Sequence, residues 1–310
     1  MTVRRRFVHR FAGVHVKYVT VGASRNARLK LFGYYVQRAV TSRRIRHAAT
    51  RAAVALLGTL HGRIERRQPA GASAALRAQG YAPLGSLLSP AQCAEALAWL
   101  RGRDMVAVRG DGRAFSIDDV PPGARVADFP VESAVHCPHL LALANRPDLL
   151  SVATDYLGYT PTITLMGLRW SFPRPTSDAD VQGFHRDSDA ASIKLLVYLT
   201  DVDADAGPHS YVAGTHLDRM PLRLRRYADQ EIVRKHGTGI VVTGPAGTGF
   251  FIDTRGIHKG TPPTRRARLV LIVQYSLLPC LIYDYAPVPY HGNLRVDPYV
   301  NRLLIAPAAR

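Results

Sequence analysis

The chain has 310 residues, of which 47% are hydrophobic and 21% are charged. These values are ordinary for a globular protein and exclude both a disordered chain and a bundle of membrane helices, while the length suffices for one large domain or two small ones. The formal net charge of +18 is unusual, whereas the three widely spaced cysteines exclude a disulfide framework and a zinc module and favour a reducing compartment.

The positive charge belongs to an N-terminal arm. Residues 1–67 contain sixteen basic residues against one acid, a net charge of +15, and the other 243 residues contribute only +3. Between Ile45 and Ile64, apolar residues recur at helical spacing with arginines among them, which predicts a basic amphipathic helix. The longest apolar run, 52–60, is about half of the ~20 residues that span a bilayer, so no transmembrane segment is expected.

The arm has three interpretations. It can dock on an anionic membrane surface, pack as a cationic helix on the rest of the chain, or act as a targeting segment, because transit peptides are also rich in arginine and poor in acids. Nucleic acid is not an expected partner, since the chain contains no recognised nucleic-acid module. Because the cysteines favour a reducing compartment, we expect a cytoplasmic protein. It would be held peripherally on the inner face of a membrane if the arm docks there.

The domain boundary is predicted in a linker over residues 68–79, which starts with a Pro/Gly/Ala/Ser stretch. Residues 80–310 then form the main domain. Its first half is predicted to contain a short strand, a helix that begins at Ser89, and two further helices between 139 and 157. Residues 105–130 hold paired prolines and several glycines, and we expect an irregular segment there that could act as a lid.

From Thr162 the hydrophobic pattern changes to a period of two, which is typical of strands. One helix, at about 223–235, interrupts this half. Many short strands separated by turn residues predict a barrel or sandwich, and hence a β-rich α+β fold. The predicted strands cover residues 162–170, 192–202, 210–213, 239–243, 248–252 and 268–277.

Two histidines and one aspartate in the second half match the ligand pattern of a non-haem iron site. His185 and Asp187 are two residues apart in an extended segment, so both side chains project from the same face. His258 follows much later, in a predicted turn bracketed by glycines. Two imidazoles and one carboxylate on one face of an iron ion leave positions open for a chelating co-substrate and dioxygen. A His-x-Asp pair alone is a weak signal, and the joint occurrence with a distal histidine strengthens it.

Arg268 completes the pattern ten residues after His258, at the entrance to an apolar strand. A guanidinium in that place is suited to hold the far carboxylate of 2-oxoglutarate as a bidentate pair. The alternative is that Arg268 belongs to a solvated basic turn with Arg265 and Arg266. The residues together predict an iron(II) site that uses 2-oxoglutarate and dioxygen.

At these motifs the chain from about residue 80 to 278 resembles the phytanoyl-CoA dioxygenase-like family of iron(II)/2-oxoglutarate oxygenases. Two features depart from the family pattern: Phe184 stands where tryptophan is common, and the arm has no counterpart. The matching segments are Gly80–Leu84, Leu87–Pro90, Asp155–Gly158, Phe184–Asp187, Ala206–His216, Phe250–Gly260 and Arg268.

The resemblance implies a double-stranded β-helix, which is a cupin-like jelly-roll, with flanking helices. It implies that His185, Asp187 and His258 hold the iron and that Arg268 pairs with the 2-oxoglutarate that chelates it. Arg169 lies on the strand before the iron motif, where the family places contacts to the co-substrate or substrate.

The resemblance also implies a reaction. Halogenating relatives replace the carboxylate ligand with a small residue, so Asp187 favours hydroxylation, or another two-electron oxidation, of an unactivated C–H bond. The expected substrate is a small molecule, a lipid or a carrier-linked group, and the co-products are succinate and CO2. The main rival is a catalytically inactive cupin-like binding protein that docks on a polyanion or membrane through the arm. A nucleic-acid demethylase or hydroxylase is a third hypothesis.

Overall fold

The computed structural model describes residues 35–62, 71–108, 112–173, 183–189, 191–219, 221–223, 226–280, 283 and 285–307. The predictions for residues 1–34 and 63–70 lie outside this part. The helices are α1 (Arg43–His61), α2 (Gly71–Gln79), α3 (Pro90–Arg101), α4 (Val131–His136), α5 (Leu140–Ala144), α6 (Pro147–Leu157), α7 (Asp229–His236) and α8 (Pro298–Asn301).

Eleven strands form two sheets in the described residues. The strands are β1 (Tyr81–Ser86), β2 (Met105–Ala107), β3 (Ala114–Phe115), β4 (Val126–Asp128), β5 (Thr162–Ser171), β6 (Ser192–Tyr198), β7 (His209–Tyr211), β8 (Ile240–Val242), β9 (Thr248–Ile252), β10 (His258–Gly260) and β11 (Arg268–Ser276). The larger sheet has the order β1-β9-β6-β11-β5-β4-β2-β3 and the smaller has the order β10-β7-β8. The pairings between these strands are all antiparallel.

The alternation along β6 separates two hydrophobic cores. Leu195 and Val197 belong to the large core on the helical side of the eight-stranded sheet. Leu196 and Tyr198 point the other way, into a smaller core that includes Tyr211 of the three-stranded sheet. Because successive strand side chains face opposite sides, one strand lines both cores, and the smaller core joins the two sheets.

Three local predictions are corrected. The expected linker is an α-helix over Gly71–Gln79, because its alanine-rich sequence buries Ser73 and Leu76 against the domain. The segment 105–130 is more regular than expected, since its described residues contribute β2, β3 and β4 to the edge of the large sheet. His258 lies on β10 rather than in a turn, since β10 pairs with β7 through His258 and Tyr211.

Helix α1 packs on the domain through its arginines. Arg46 donates from Nη1 to the carbonyl of Ser188 at 2.7 Å, and Arg43 donates from Nη1 to the carbonyl of His216 at 2.8 Å. Both arginines and Leu57 are buried. The interpretation of the arm as a cationic helix packed on the rest of the chain therefore describes residues 43–61. No helix in the described ranges is long and apolar enough to cross a bilayer.

Candidate metal centre

The strand pairing brings the three predicted ligands together. His185 and His258 form an isolated antiparallel bridge, with backbone hydrogen bonds of 2.9 and 3.0 Å between them. Asp187 is two residues further on the same face. One ligand atom from each of the three side chains lies within 4.8 Å of the other two. This spacing is compatible with three protein donors on one face of a metal ion.

Both imidazoles are oriented in the same way. His185 Nδ1 lies 2.9 Å from the carbonyl oxygen of Gly183, and His258 Nδ1 lies 3.0 Å from that of Gly256. In each case the partner is the residue two positions earlier in the chain. A proton held on Nδ1 by a backbone carbonyl leaves the Nε2 lone pair free for a metal ion. The donor set is thus prepared in the tautomer that a metal requires.

The environment keeps the ligands unprotonated. Burial, followed by the neighbouring His258, lowers the pKa of His185 from 6.5 to about 3, and burial also lowers the pKa of His258. Burial alone would raise the pKa of Asp187, but Lys194 and the two imidazoles outweigh it and lower that pKa overall. A metal ion therefore meets little competition from protons at neutral pH.

The turn after β9 braces the His-x-Asp segment. The Asp187 amide donates to the carbonyl of Thr254 at 2.9 Å. Arg255 is held against the fully buried Asp253, which also accepts a hydrogen bond from Tyr156. Between the two ligands, Arg186 turns away from the centre, as its position predicts, and donates to the carbonyls of Thr215 and Arg255. A buried polar network thus fixes the backbone that carries the ligands.

Arg268 is a buried cation with free donors. Its side chain is only 5% exposed, and its one described hydrogen bond is a long one of 3.4 Å from Nη2 to Ser171 Oγ. Among the described residues, Nε and Nη1 have no partner. The guanidinium reaches β10, since a Cβ added to Gly260 would lie 3.0 Å from Nη2. Arg268 therefore belongs to the barrel interior near His258 and is not part of a solvated turn.

Arg169 has a partner of its own. Its Nε and Nη2 donate to the two carboxylate oxygens of Asp128 at 2.7 and 2.8 Å, across the pairing of β5 with β4. Burial lowers the pKa of Arg268. Tyr198 partly opposes this shift, and the nearby positive charge of Arg169 adds to it. The two arginines thus share one electrostatic environment. A contact from Arg169 to the co-substrate remains a prediction.

Two further residues neighbour the centre: Lys194, which the sequence did not single out, and His209, which the sequence suggested only as a residue that could line the pocket. Lys194 donates from Nζ to Asp187 Oδ2 at 2.7 Å. The His209 ring lies 5.7 Å from the His258 ring, and its buried Nε2 has no partner in the described part of the chain. Lys194 could have been found, because it interrupts an apolar strand on the face shared by Leu196 and Tyr198. For His209 the sequence could not go beyond a place near the pocket, since its role depends on which strands face each other.

The residues at the centre fit a ferrous ion and an anionic co-substrate. Two imidazole nitrogens and one carboxylate suit ferrous iron. The Arg268 guanidinium, whose Nε and Nη1 have no partner in the described part of the chain, suits a dianionic co-substrate. The fold and these residues are those of the iron(II)/2-oxoglutarate oxygenases. The family model of phytanoyl-CoA dioxygenase (PhyH) matches residues 76–268, and the chain belongs to that family, which uses iron(II), 2-oxoglutarate and dioxygen.

The chain is also similar to solved structures. The epimerase SnoN in complex with Fe3+, alpha-ketoglutarate and nogalamycin RO is 20% identical, with 73% of this chain and 92% of that chain covered and a TM-score of 0.50. HygX from Streptomyces hygroscopicus with nickel, 2-oxoglutarate and hygromycin B is 17% identical, with 73% and 94% covered and a TM-score of 0.48. No curated protein sequence matches the chain. The family match and the two antiparallel sheets together identify the fold as a double-stranded β-helix with flanking helices.

Proposed function

We propose that this chain is an iron(II)/2-oxoglutarate-dependent dioxygenase that hydroxylates an unactivated C–H bond. The substrate is a small molecule, a lipid or a carrier-linked group, and succinate and CO2 are released. The observation that carries the proposal is the approach of the His185, Asp187 and His258 donor atoms to within 4.8 Å. An inactive cupin-like binding protein would not need to keep these donors together with a buried Arg268 whose Nε and Nη1 have no partner among the described residues.

The residues have separate roles in this proposal. His185 and His258 would present Nε2 to iron while each Nδ1 keeps its proton on a glycine carbonyl, and Asp187 would present Oδ1. Arg268 would pair with the far carboxylate of 2-oxoglutarate and so orient it. Bound iron, with 2-oxoglutarate and dioxygen, supplies the oxidant for the C–H bond.

Anaerobic titration with iron(II) and 2-oxoglutarate tests the metal centre. We expect a visible charge-transfer band in the wild type and its loss in His185→Ala. His216→Gln is a matched control, because His216 is also buried but its Nε2 lies 3.1 Å from the carbonyl of Arg77, outside the triad. The proposal fails if the wild type shows no band, or if His185→Ala keeps it.

The reaction itself requires a separate measurement. A panel of small molecules, lipids and carrier-linked acyl groups is screened for succinate release, and hits are repeated under 18O2. Hydroxylation predicts one labelled oxygen in the product for each succinate formed. Epimerisation or ring closure without oxygen gain would overturn hydroxylation and leave the oxygenase assignment intact.

We further propose that the arm docks the protein peripherally on an anionic membrane surface, on the inner face of the membrane. Ile45, Leu56 and Leu60 lie on one stripe of α1 and are 57%, 58% and 64% exposed, whereas Arg43, Arg46 and Leu57 on another face of the helix are buried. Arg44 and Arg51 flank this stripe and are also exposed. Each basic residue near an anionic surface contributes about 1 kcal/mol, and the arm has a net charge of +15.

Vesicle sedimentation tests the docking. We expect the full chain to bind phosphatidylserine-containing vesicles more strongly than pure phosphatidylcholine vesicles, and Leu56→Glu/Leu60→Glu to abolish the difference. Val233→Glu is the control, since Val233 is 51% exposed on another helix. Equal affinity for an oligonucleotide would favour the nucleic-acid hypothesis, and a dimer that dissociates in the double variant would mean that a second copy covers the stripe. Either result overturns membrane docking.

A further inference from the structure

We propose that Lys194 is a positioning residue that makes Asp187 a ligand through one oxygen only. The inference rests on the proposed function, because it concerns the metal that Asp187 would bind. Lys194 lies outside the three donors and Arg268. Its contact with a ligand carboxylate gives it a specific role, which is to hold one oxygen so that the other is left for the metal.

The two oxygens of Asp187 face different partners. Oδ1 lies 3.6 Å from His185 Nε2 and so points to the centre of the triad. Oδ2 accepts a hydrogen bond from Lys194 Nζ at 2.7 Å. A carboxylate can bind a metal with one oxygen or with two. Because the ammonium already engages Oδ2, the geometry favours Oδ1 alone, and the coordination positions needed for 2-oxoglutarate and dioxygen stay open.

The fold holds the ammonium firmly. Lys194 is paired on one side with Ile252 of β9 and on the other with Gln274 of β11, so its backbone is central in the sheet. Its side chain is only 18% exposed. Asp187 is its only ion-pair partner among the described residues. A charged lysine on a central strand has few alternative rotamers, which is what a positioning role requires.

A purely structural ion pair predicts something different. If Lys194 only neutralised a buried carboxylate, its removal would lower stability but leave the coordination of a bound metal unchanged. A positioning role predicts a change in the number of coordinating oxygens and in metal affinity. Changes of outer-shell partners typically cost 10–100-fold in metal affinity, so the expected effect is measurable.

Cobalt(II) substitution separates these outcomes without any turnover. We expect Lys194→Met to bind cobalt(II) about 10–100-fold more weakly than the wild type in a chelator competition. Its d–d absorption should change as Oδ2 becomes available. Lys194→Arg, which keeps the charge and can donate to Oδ2, should retain the wild-type spectrum and most of the affinity.

Lys259→Met is the matched control. Lys259 is the neighbour of His258, is 13% exposed and also pairs with an acid, Asp229, but that acid is not a ligand. We expect its cobalt(II) spectrum to be that of the wild type. If Lys194→Met does not fold, as judged by circular dichroism, Lys194→Gln replaces it, and an altered spectrum is again expected.

The inference is overturned if the uncharged variant at position 194 binds cobalt(II) with wild-type affinity and spectrum, or if Lys259→Met has the same effect. In both cases the wild type still binds the metal, so the proposed function survives. Failure of the wild type to bind any metal would instead defeat the proposed function.

Discussion

Two buried arginines, one in helix α1 and one in the barrel, differ in what their donors contact. Arg46 and Arg268 are 7% and 5% exposed, and burial lowers the pKa of each. Arg46 donates to three backbone carbonyls, those of Val40, Ser188 and Gln37. Arg268 leaves Nε and Nη1 without a partner in the described residues. A buried cation whose three nitrogens all donate to backbone carbonyls is part of the scaffold, whereas one with nitrogens left without a partner marks a site for an anion.

The arm that carries Arg46 and the barrel that carries Arg268 also differ in role: the arm supports the site and the barrel forms it. The arm lies outside the residues that the family model matches, 76–268, yet Arg46 and Gln37 both donate to the carbonyl of Ser188 at 2.7 Å. Ser188 directly follows Asp187. An element added before the family domain therefore supports the backbone of a candidate metal ligand, while the barrel supplies the chemistry.

The largest expected effect comes from Arg268→Met. Removal of one partner of a buried charge pair costs about 2–5 kcal/mol, so the dissociation constant of 2-oxoglutarate should rise by a factor of about 30 or more. The measurement is anaerobic titration of the charge-transfer band. Iron(II) affinity without co-substrate should stay unchanged. The same variant should be as stable as the wild type or more so, because a methionine there leaves no unpaired buried charge.

Arg46→Met should have the opposite stability effect. It leaves up to three carbonyls without a donor, and each buried unsatisfied group costs about 1–3 kcal/mol, although two of the three bonds are only partly buried. We expect a loss of about 2–4 kcal/mol in denaturant unfolding, with faster amide exchange at residues 187–189. Arg44→Met is the control, since Arg44 is exposed on the same helix. If Arg46→Met is as stable as Arg44→Met, then Arg46 does not support the scaffold in the way described.

The smallest effect concerns pH. The pKa of His185 falls from 6.5 to about 3 on folding, so the neutral imidazole is favoured in the folded state. The stability that this contributes is complete above about pH 6.5 and is lost as pH falls from there towards about 3. The melting temperature of the metal-free protein should decrease over this window, and less steeply in His185→Gln. The slope does not vanish, because burial also lowers the pKa of His209 and His258.

If the slope for His185→Gln equals that of the wild type, then the pKa of His185 is not lowered on folding. The metal-bound protein should show the same slope as the metal-free protein where the folded ligands are unprotonated, and a steeper slope at lower pH where they begin to take up protons, since a bound metal keeps protons off Nε2 in the folded state. This difference connects the stability measurement to the candidate centre.

Much of the barrel and its candidate site was predictable. The strand over 248–252 is observed with the predicted bounds, and the other strands predicted from residue 162 onward agree to within a few residues, because alternating hydrophobicity reports a half-buried sheet directly. The strands β2, β3, β4 and β10 were not predicted. The helix predicted at 223–235 is shorter and later, at Asp229–His236. The errors at 71–79 and 105–130 share a cause: glycine and proline suggested irregular backbone where tertiary packing supplies regular structure.

The sequence by itself determined which residues could act together within one segment. The spacing of His185 and Asp187 places both side chains on one face of an extended chain, and the spacing of Ile45, Leu56 and Leu60 places them on one stripe of a helix. Such periodicities depend only on local backbone geometry. They specify neighbours along an element and cannot specify neighbours across elements.

Only the tertiary structure decided what meets across strands and helices. The approach of Lys194 to Asp187, the free donors of Arg268 and the contact of Arg46 with Ser188 all depend on strand order and helix docking. These arise from the burial of the whole chain, because the antiparallel pairing of β6, β9 and β11 sets which side chains share the barrel interior. The physical reason is that long-range contacts are selected by global packing rather than by local propensity.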